Sequence, residues 1–275
     1  MILLEVKSLS VSYGKKKAVK SVTFGAAAGK LIALLGPNGS GKSTILKALA
    51  GLLPTERGSV RICGNPIEGY SRKALAKVVA LLPQGSGFYA PFTVLEAVAM
   101  GRFPHSSSPF GPLSEDDIAL SRDIVAKLEL GGFEDRPVTT LSGGEAQRVA
   151  IAQTLAQDTP IFLLDEPTSA LDPRHAILVM ELLRSLSLEG RSLLVTLHDV
   201  NLSLRFADEL LFLREGTLAA ACVPEEVNPE LLEAIYDVPW AVEESPKVGR
   251  VAFPVSEPGR RESSAFPLPR AQRLS

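Results

Sequence analysis

The chain has 275 residues, 45% of them apolar and 22% charged, a globular composition that excludes disorder of the whole chain and supplies material for a large core. Its formal charge of -2 gives no global attraction to nucleic acid, whose binders carry a clustered positive excess, so no nucleic-acid partner is expected. The two cysteines, Cys63 and Cys222, lie far apart without histidine at ligand spacing, which argues against a disulfide framework or a zinc site and is compatible with a reducing cytosol.

Met1 to Lys7 carries Glu5 and no basic region ahead of an apolar stretch, so it does not read as a secretory signal. No apolar run approaches the roughly 18 to 20 residues needed to cross a bilayer, so any membrane process it serves needs another chain for the membrane part. From Ile2 to Phe24 apolar and polar residues alternate loosely about Gly14, which predicts an antiparallel hairpin with one buried face. The run Lys15 to Lys17 is read as a solvated turn. Leu31 to Leu35 is wholly apolar and ends in Gly and Pro, the pattern of a central strand covered on both faces. Ile161 to Leu164 and Leu193 to Leu197 repeat it, and helical segments follow each. The fold class is therefore α/β, a mostly parallel sheet with crossover helices and an N-terminal antiparallel β-subdomain. Between Gln84 and Thr140 strand signals vanish. Ser114, followed by Glu115, Asp116 and Asp117, opens an amphipathic helix from Ile118 to Leu130, and residues 85–157 are expected to form an inserted helical subdomain. Residues 1–243 are expected to be the folded domain, and Glu244 to Ser275, rich in Pro, Ser and Arg, a flexible tail.

Gly36-Pro37-Asn38-Gly39-Ser40-Gly41-Lys42-Ser43-Thr44 satisfies G-x-x-x-x-G-K-S/T, with an apolar strand before it and the helix-like Ile45 to Leu52 after it. The glycines let successive N–H groups point inward at phosphate oxygens, and the helix N-terminus adds its positive dipole end. Lys42 is placed to reach the β- and γ-phosphates, Ser43 offers a hydroxyl to Mg²⁺, and Thr44 stands near the α-phosphate. This P-loop implies a nucleoside triphosphate and Mg²⁺; small-molecule kinases and GTPases share it.

Asp165 and Glu166 leave the strand Ile161 to Leu164 where a metal opposite the phosphate loop needs a carboxylate. Asp165 takes that metal role, and Glu166 is the candidate general base that polarises an attacking water. Leu141-Ser142-Gly143-Gly144-Glu145 precedes a helix from Ala146 to Gln157 and offers a hydroxyl, glycine N–H groups and a dipole end, a second anion site. If each site sits on its own rigid element, a second copy of the chain is the natural donor.

With these motifs in order, the chain resembles an ATP-binding cassette ATPase, from about Leu3 to Trp240. The resemblance implies that Ser142, Gly143 and Gly144 of one subunit close over ATP held by the other. Glu145 stands where glutamine is usual in the family. Tyr13 matches the aromatic residue that stacks on adenine, with a packed strand tyrosine as the alternative. Gln84 matches the glutamine that meets Mg²⁺ and the attacking water, Asp172 the aspartate of the loop along the dimer seam, and His198 the switch histidine that contacts the γ-phosphate. Phe92 to His105, with Ile235-Tyr236-Asp237-Val238-Pro239-Trp240, resembles the ATPases of iron-siderophore, haem and cobalamin importers. That resemblance implies a homodimer at the cytoplasmic face of the inner membrane. It would be joined to two integral membrane permease subunits and served by an extracytoplasmic solute-binding protein. An apolar face of Val94, Leu95, Val98 and Met100 is expected either to receive a permease helix or to pack into the helical subdomain. Another solute such as a metal ion, or an exporter, remains the alternative. Non-transport cassette proteins carry paired cassettes or long coiled coils, which this sequence lacks.

Overall fold

The computed structural model describes residues 1–85, 87–88, 90–106 and 113–255. The chain opens with strands β1 (Ile2–Tyr13), β2 (Lys16–Ala27) and β3 (Leu31–Leu35), helix α1 (Lys42–Leu49), strands β4 (Arg57–Ile62) and β5 (Asn65–Pro66), the short helix α2 (Arg72–Leu75) and strand β6 (Val79–Leu82). Three helices follow, α3 (Val94–Ala99), α4 (Glu115–Lys127) and α5 (Gly143–Ala156). Strand and helix then alternate through β7 (Ile161–Asp165), α6 (Pro173–Leu188), β8 (Ser192–Thr196) and α7 (Val200–Phe206). The chain continues with β9 (Glu209–Arg214), β10 (Thr217–Cys222), α8 (Pro229–Tyr236), β11 (Trp240–Ser245) and β12 (Gly249–Pro254).

The central sheet has the order β10-β9-β3-β8-β7-β6, parallel throughout except for β10 at its edge. Its strands alternate between two separate cores. Leu31, Ala33 and Leu35 of β3 face the helices α5 to α8, while Ile32 and Leu34 face α1 and the antiparallel sheet. Phe162 and Leu164 of β7 point to the first side, Ile161 and Leu163 to the second. Burial on both faces explains why these strands read as unbroken apolar runs. β1 and β2 pair antiparallel around Gly14, and β4 and β5 extend that sheet in the order β2-β1-β4-β5, as the N-terminal alternation predicts.

The helical block starts at capped ends. Ser114 and Asp117 form a capping box on α4, and Thr93 and Glu96 form one on α3. Arg102 joins the block to the end of α5, bonding Asp117 at 2.7 Å and the Ala156 carbonyl at 2.9 Å.

Two expectations change, and one choice left open is decided. The segment from Glu244 is not wholly a tail, because residues 244–254 complete the antiparallel hairpin β11–β12; residues 256–275 lie outside the described residues. The face of Val94 and Val98 is fully buried against the helical block, so it is core rather than an open groove. Gly101 makes that packing possible, since a Cβ there would stand 2.2 Å from the Gln153 carbonyl oxygen of α5. The first helix begins at Lys42, three residues ahead of the expected start at Ile45.

Candidate functional site

Between β3 and α1 the chain turns back on itself with Gly36, Gly39 and Gly41 at φ of +137°, +77° and +106°. L-residues avoid that region. Neighbouring backbone also leaves no room for side chains: a Cβ on Gly36 would stand 2.0 Å from the Leu213 carbonyl oxygen, and one on Gly41 2.7 Å from that of Ala18. α1 starts without a side-chain cap and without an acidic residue in its first turn, so its leading N–H groups are left for an anion. Lys42 is buried and donates from Nζ to the carbonyls of Gly36 at 2.7 Å and Pro37 at 3.1 Å. Burial pushes its ammonium below the usual lysine range, and the carboxylates of Glu166 and Asp165 oppose that shift.

A cavity of about 490 Å³ opens over this loop. Tyr13, Asn38, Gly39, Ser40, Gly41, Lys42, Ser43, Thr44, Gln84, Glu166 and His198 line it together. Residues from five separate stretches of sequence are thus gathered at the carboxyl ends of the strands, where open α/β sheets bind ligands. Gly36 and Pro37 lie at the base of the loop. Pro37 walls a second, smaller recess behind it.

Asp165, 2% exposed, lies beneath this cavity rather than in its wall. Thr196 ties the end of β7 to β8: its Oγ1 donates to Asp165 Oδ1 at 2.8 Å and accepts the Glu166 N–H at 2.8 Å. Glu166 adopts φ of +53°, a conformation that costs a non-glycine residue on the order of 1–3 kcal/mol and is found where a turn is held for a purpose. Its Oε1 stands 2.5 Å from Nε2 of His198. The Ser43 hydroxyl, the Gln84 amide and the buried Asp165 carboxylate are hard oxygen donors, a set whose chemistry fits Mg²⁺.

The second group of expected residues lies elsewhere. Ser142 is the N-cap of α5. Its N–H donates to Glu145 Oε2 at 2.7 Å, and its Oγ accepts the Glu145 N–H at 3.4 Å. The Ser142 backbone N–H holds the Glu145 carboxyl below the usual carboxylate range. Asp172 caps α6, accepting the His175 N–H at 3.0 Å and facing His175 Nδ1 at 2.7 Å, contacts that lower its carboxyl too. Gly144 abuts the loop before Asp172, since a Cβ on it would stand 3.3 Å from the Ala170 carbonyl oxygen. Ser142, Gly143 and Asp172 are exposed, Gly144 is half-buried, and none of the four lines the cavity.

Three residues at the site escape the motif reading. Lys16 and Ala18 line the cavity from the β1–β2 hairpin, although the lysine run reads as a solvated turn. Thr196 is signalled only by a hydroxyl closing an otherwise apolar strand.

The ABC transporter family model matches residues 19–169. The hemin import ATP-binding protein HmuV of Streptomyces coelicolor is 42% identical over 249 residues, covering 90% of this chain and 88% of its own length. The iron(3+)-hydroxamate import ATP-binding protein FhuC of Bacillus subtilis is 36% identical over 249 residues, covering 90% of this chain and 92% of its own. Among solved structures, a metal-chelate type ABC transporter in an inward-facing conformation superposes with a TM-score of 0.80 at 26% identity, covering 93% of this chain and 98% of that one. The family model covers more than half of the chain and these relatives match along 90% of it: this protein belongs to the ABC transporter family, as one of its ATP-binding, ATP-hydrolysing subunits.

Proposed function

We propose that two copies of this chain energise import of an iron chelate, haem or cobalamin through two membrane permease subunits, from the cytoplasmic face of the membrane and fed by an extracytoplasmic solute-binding protein. The observation that carries the hydrolytic part is the separation of two phosphate-seeking groups on one chain. One surrounds Lys42 in the cavity; the other, Ser142 to Gly144, is presented on a different surface beside Asp172. Two copies facing head to tail place each group over the other's nucleotide.

In that arrangement Tyr13 stacks on adenine, the loop N–H groups and Lys42 hold the phosphates, and Thr44 meets the α-phosphate. Ser43, Gln84 and Asp165 would hold Mg²⁺, which would supply positive charge to offset that of the phosphates. Glu166 accepts a proton from the water as its oxygen bonds to the γ-phosphorus and the bond to the bridging oxygen breaks, leaving ADP and phosphate. His198 orients the Glu166 carboxylate and reaches the γ-phosphate. The partner subunit's Ser142, Gly143 and Gly144 supply donors to the charge that spreads over that phosphate in the transition state.

No helix among the described residues is long and apolar enough to cross a membrane, so a separate chain supplies the conduit in this reading. With Val94 and Val98 in the core, the surface left for it is the other side of the helical block. There Phe92, 41% exposed, and Phe103, 50% exposed, border a groove of about 310 Å³ with Glu96 and Met100, suited to an amphipathic helix. The cargo is supported by the relatives, which serve hemin import and iron(3+)-hydroxamate import. Deleting the gene and measuring uptake of radiolabelled ferric siderophore, haem, cobalamin, manganese and zinc tests it. Loss of one of the first three is expected; normal uptake of all three would overturn the cargo while leaving the ATPase standing.

A further inference from the structure

The unit α8–β11–β12 contributes no residue to the phosphate cavity, yet it is bonded to elements on both sides of it. On one side stands α7, whose first turn follows His198 directly. Asp199 caps that turn, accepting the N–H groups of Asn201 at 2.8 Å and Leu202 at 3.1 Å. The Asn201 side chain then leaves α7. Its Nδ2 donates to the Ala252 carbonyl at 3.0 Å, and its Oδ1 accepts the Ala252 N–H at 2.8 Å. The amide behaves as a peptide group, closing a two-bond bridge to β12, and Ala252 is itself buried in the core. On the other side, Arg214 donates to both carboxylate oxygens of Asp237, at 2.9 and 3.0 Å, and to the Ala234 carbonyl at the end of α8. Arg214 and Asp237 face Asn38 to Ser40 of the phosphate loop across a recess of about 210 Å³.

His198 needs outside support. Its side chain is 45% exposed, so packing does not fix it, and its one recorded side-chain bond among the described residues is to Glu166. What fixes the imidazole's starting point is the backbone of the first turn capped by Asp199, and what ties that turn to β12 is the Asn201 side chain. We propose that α8–β12 is a strap spanning from the rear of the phosphate loop to the switch, with Asn201 as the positioning residue through which it holds His198 against Glu166. The strap rests on the roles given above to those two residues. Two net hydrogen bonds are at stake, enough to alter how often the pair is aligned without touching the nucleotide.

The test is steady-state MgATP hydrolysis by the full-length chain carrying Asn201→Ala, Asn201→Asp, His198→Ala and Asn201→Ala with His198→Ala. Asn201→Ala is expected to lower kcat about 5-fold with KM for ATP within about 2-fold. Asn201→Asp, which keeps the acceptor for the Ala252 N–H and tests the idea if the alanine variant folds poorly, is expected to fall between. In the His198→Ala background, Asn201→Ala should change kcat no further, because its effect passes through the imidazole. If His198→Ala slows turnover while both Asn201 variants turn over normally, or if Asn201→Ala costs the same factor in either background, the strap is wrong and the site stands. If His198→Ala leaves turnover intact, the reading of the site falls and the strap with it.

Discussion

α1 and α5 both begin at glycine-rich turns, and their N-termini are built in opposite ways. α1 starts after Gly41 in a left-handed conformation, with no side-chain cap and with Lys42 as its first residue. α5 starts after Ser142, which closes a reciprocal capping box with Glu145 and brings a carboxylate into the first turn. The first end is an anion site in its own right. The second has two backbone donors already taken by its own side chains, the N–H groups of Ser142 and Glu145, and a negative charge beside it, so it is poorly suited to hold a phosphate alone. It can add a serine hydroxyl and glycine N–H groups to a phosphate that another loop and Mg²⁺ already hold. In the proposed dimer, binding strength therefore belongs to α1, and α5 contributes only once a loaded partner closes on it.

The largest effect expected from this division is at the reacting centre. Glu166→Gln should slow hydrolysis by about 10²- to 10⁴-fold while ATP affinity stays within about 2-fold, since it removes the base and keeps the shape. Nucleotide titration beside single-turnover rates separates the two; near-normal turnover would remove Glu166 from the chemistry. Ser142→Arg sharpens the contrast from the other end. ATP binding to the isolated subunit should be unchanged and hydrolysis should fall by about 10²-fold, the order lost when a transition-state donor is removed. Weakened binding in the isolated subunit would mean that α5 serves its own chain's nucleotide.

On the α1 side, Gly41→Ala forces a side chain into φ of +106° and against the Ala18 carbonyl. Strain of about 1–3 kcal/mol should weaken ATP affinity by about 10- to 100-fold, read by calorimetry. The smallest effect is at Glu145. Glu145→Ala opens the capping box at a cost of about 1 kcal/mol and should lower Tm by about 2–4 °C, with ATP binding untouched. A loss of ATP affinity there would break the comparison.

How far the sequence carries depends on what holds each part. β3, β7 and β8 are held by apolar burial on both faces, so their composition names them, and the P-loop is announced by glycines that only a tight backbone needs. The strap is different. Of the six residues of β12 only Ala252 is buried, and it is bonded by the Asn201 side chain, 51 residues away in sequence, so a run without apolar periodicity reads as part of a tail. α3 shows a middle case. The stripe Val94, Leu95, Val98 and Met100 is legible at helical spacing, but that Val94 and Val98 sink into the core while Leu95 and Met100 stay half-buried depends on Gly101 letting Gln153 come close, a contact the spacing does not contain. Thr196 is only faintly signalled for a similar reason: its partners Asp165 and Glu166 belong to the neighbouring strand's end.

The central claim, that each working site is shared between two copies, is tested most directly with a purified heterodimer of one Lys42→Ala chain and one Ser142→Arg chain. One composite site then carries both lesions and the other neither. Single-turnover hydrolysis, counted as phosphate released per dimer, should show one turnover at close to the normal rate, where each parent homodimer shows almost none. A heterodimer no more active than its parents would contradict the account.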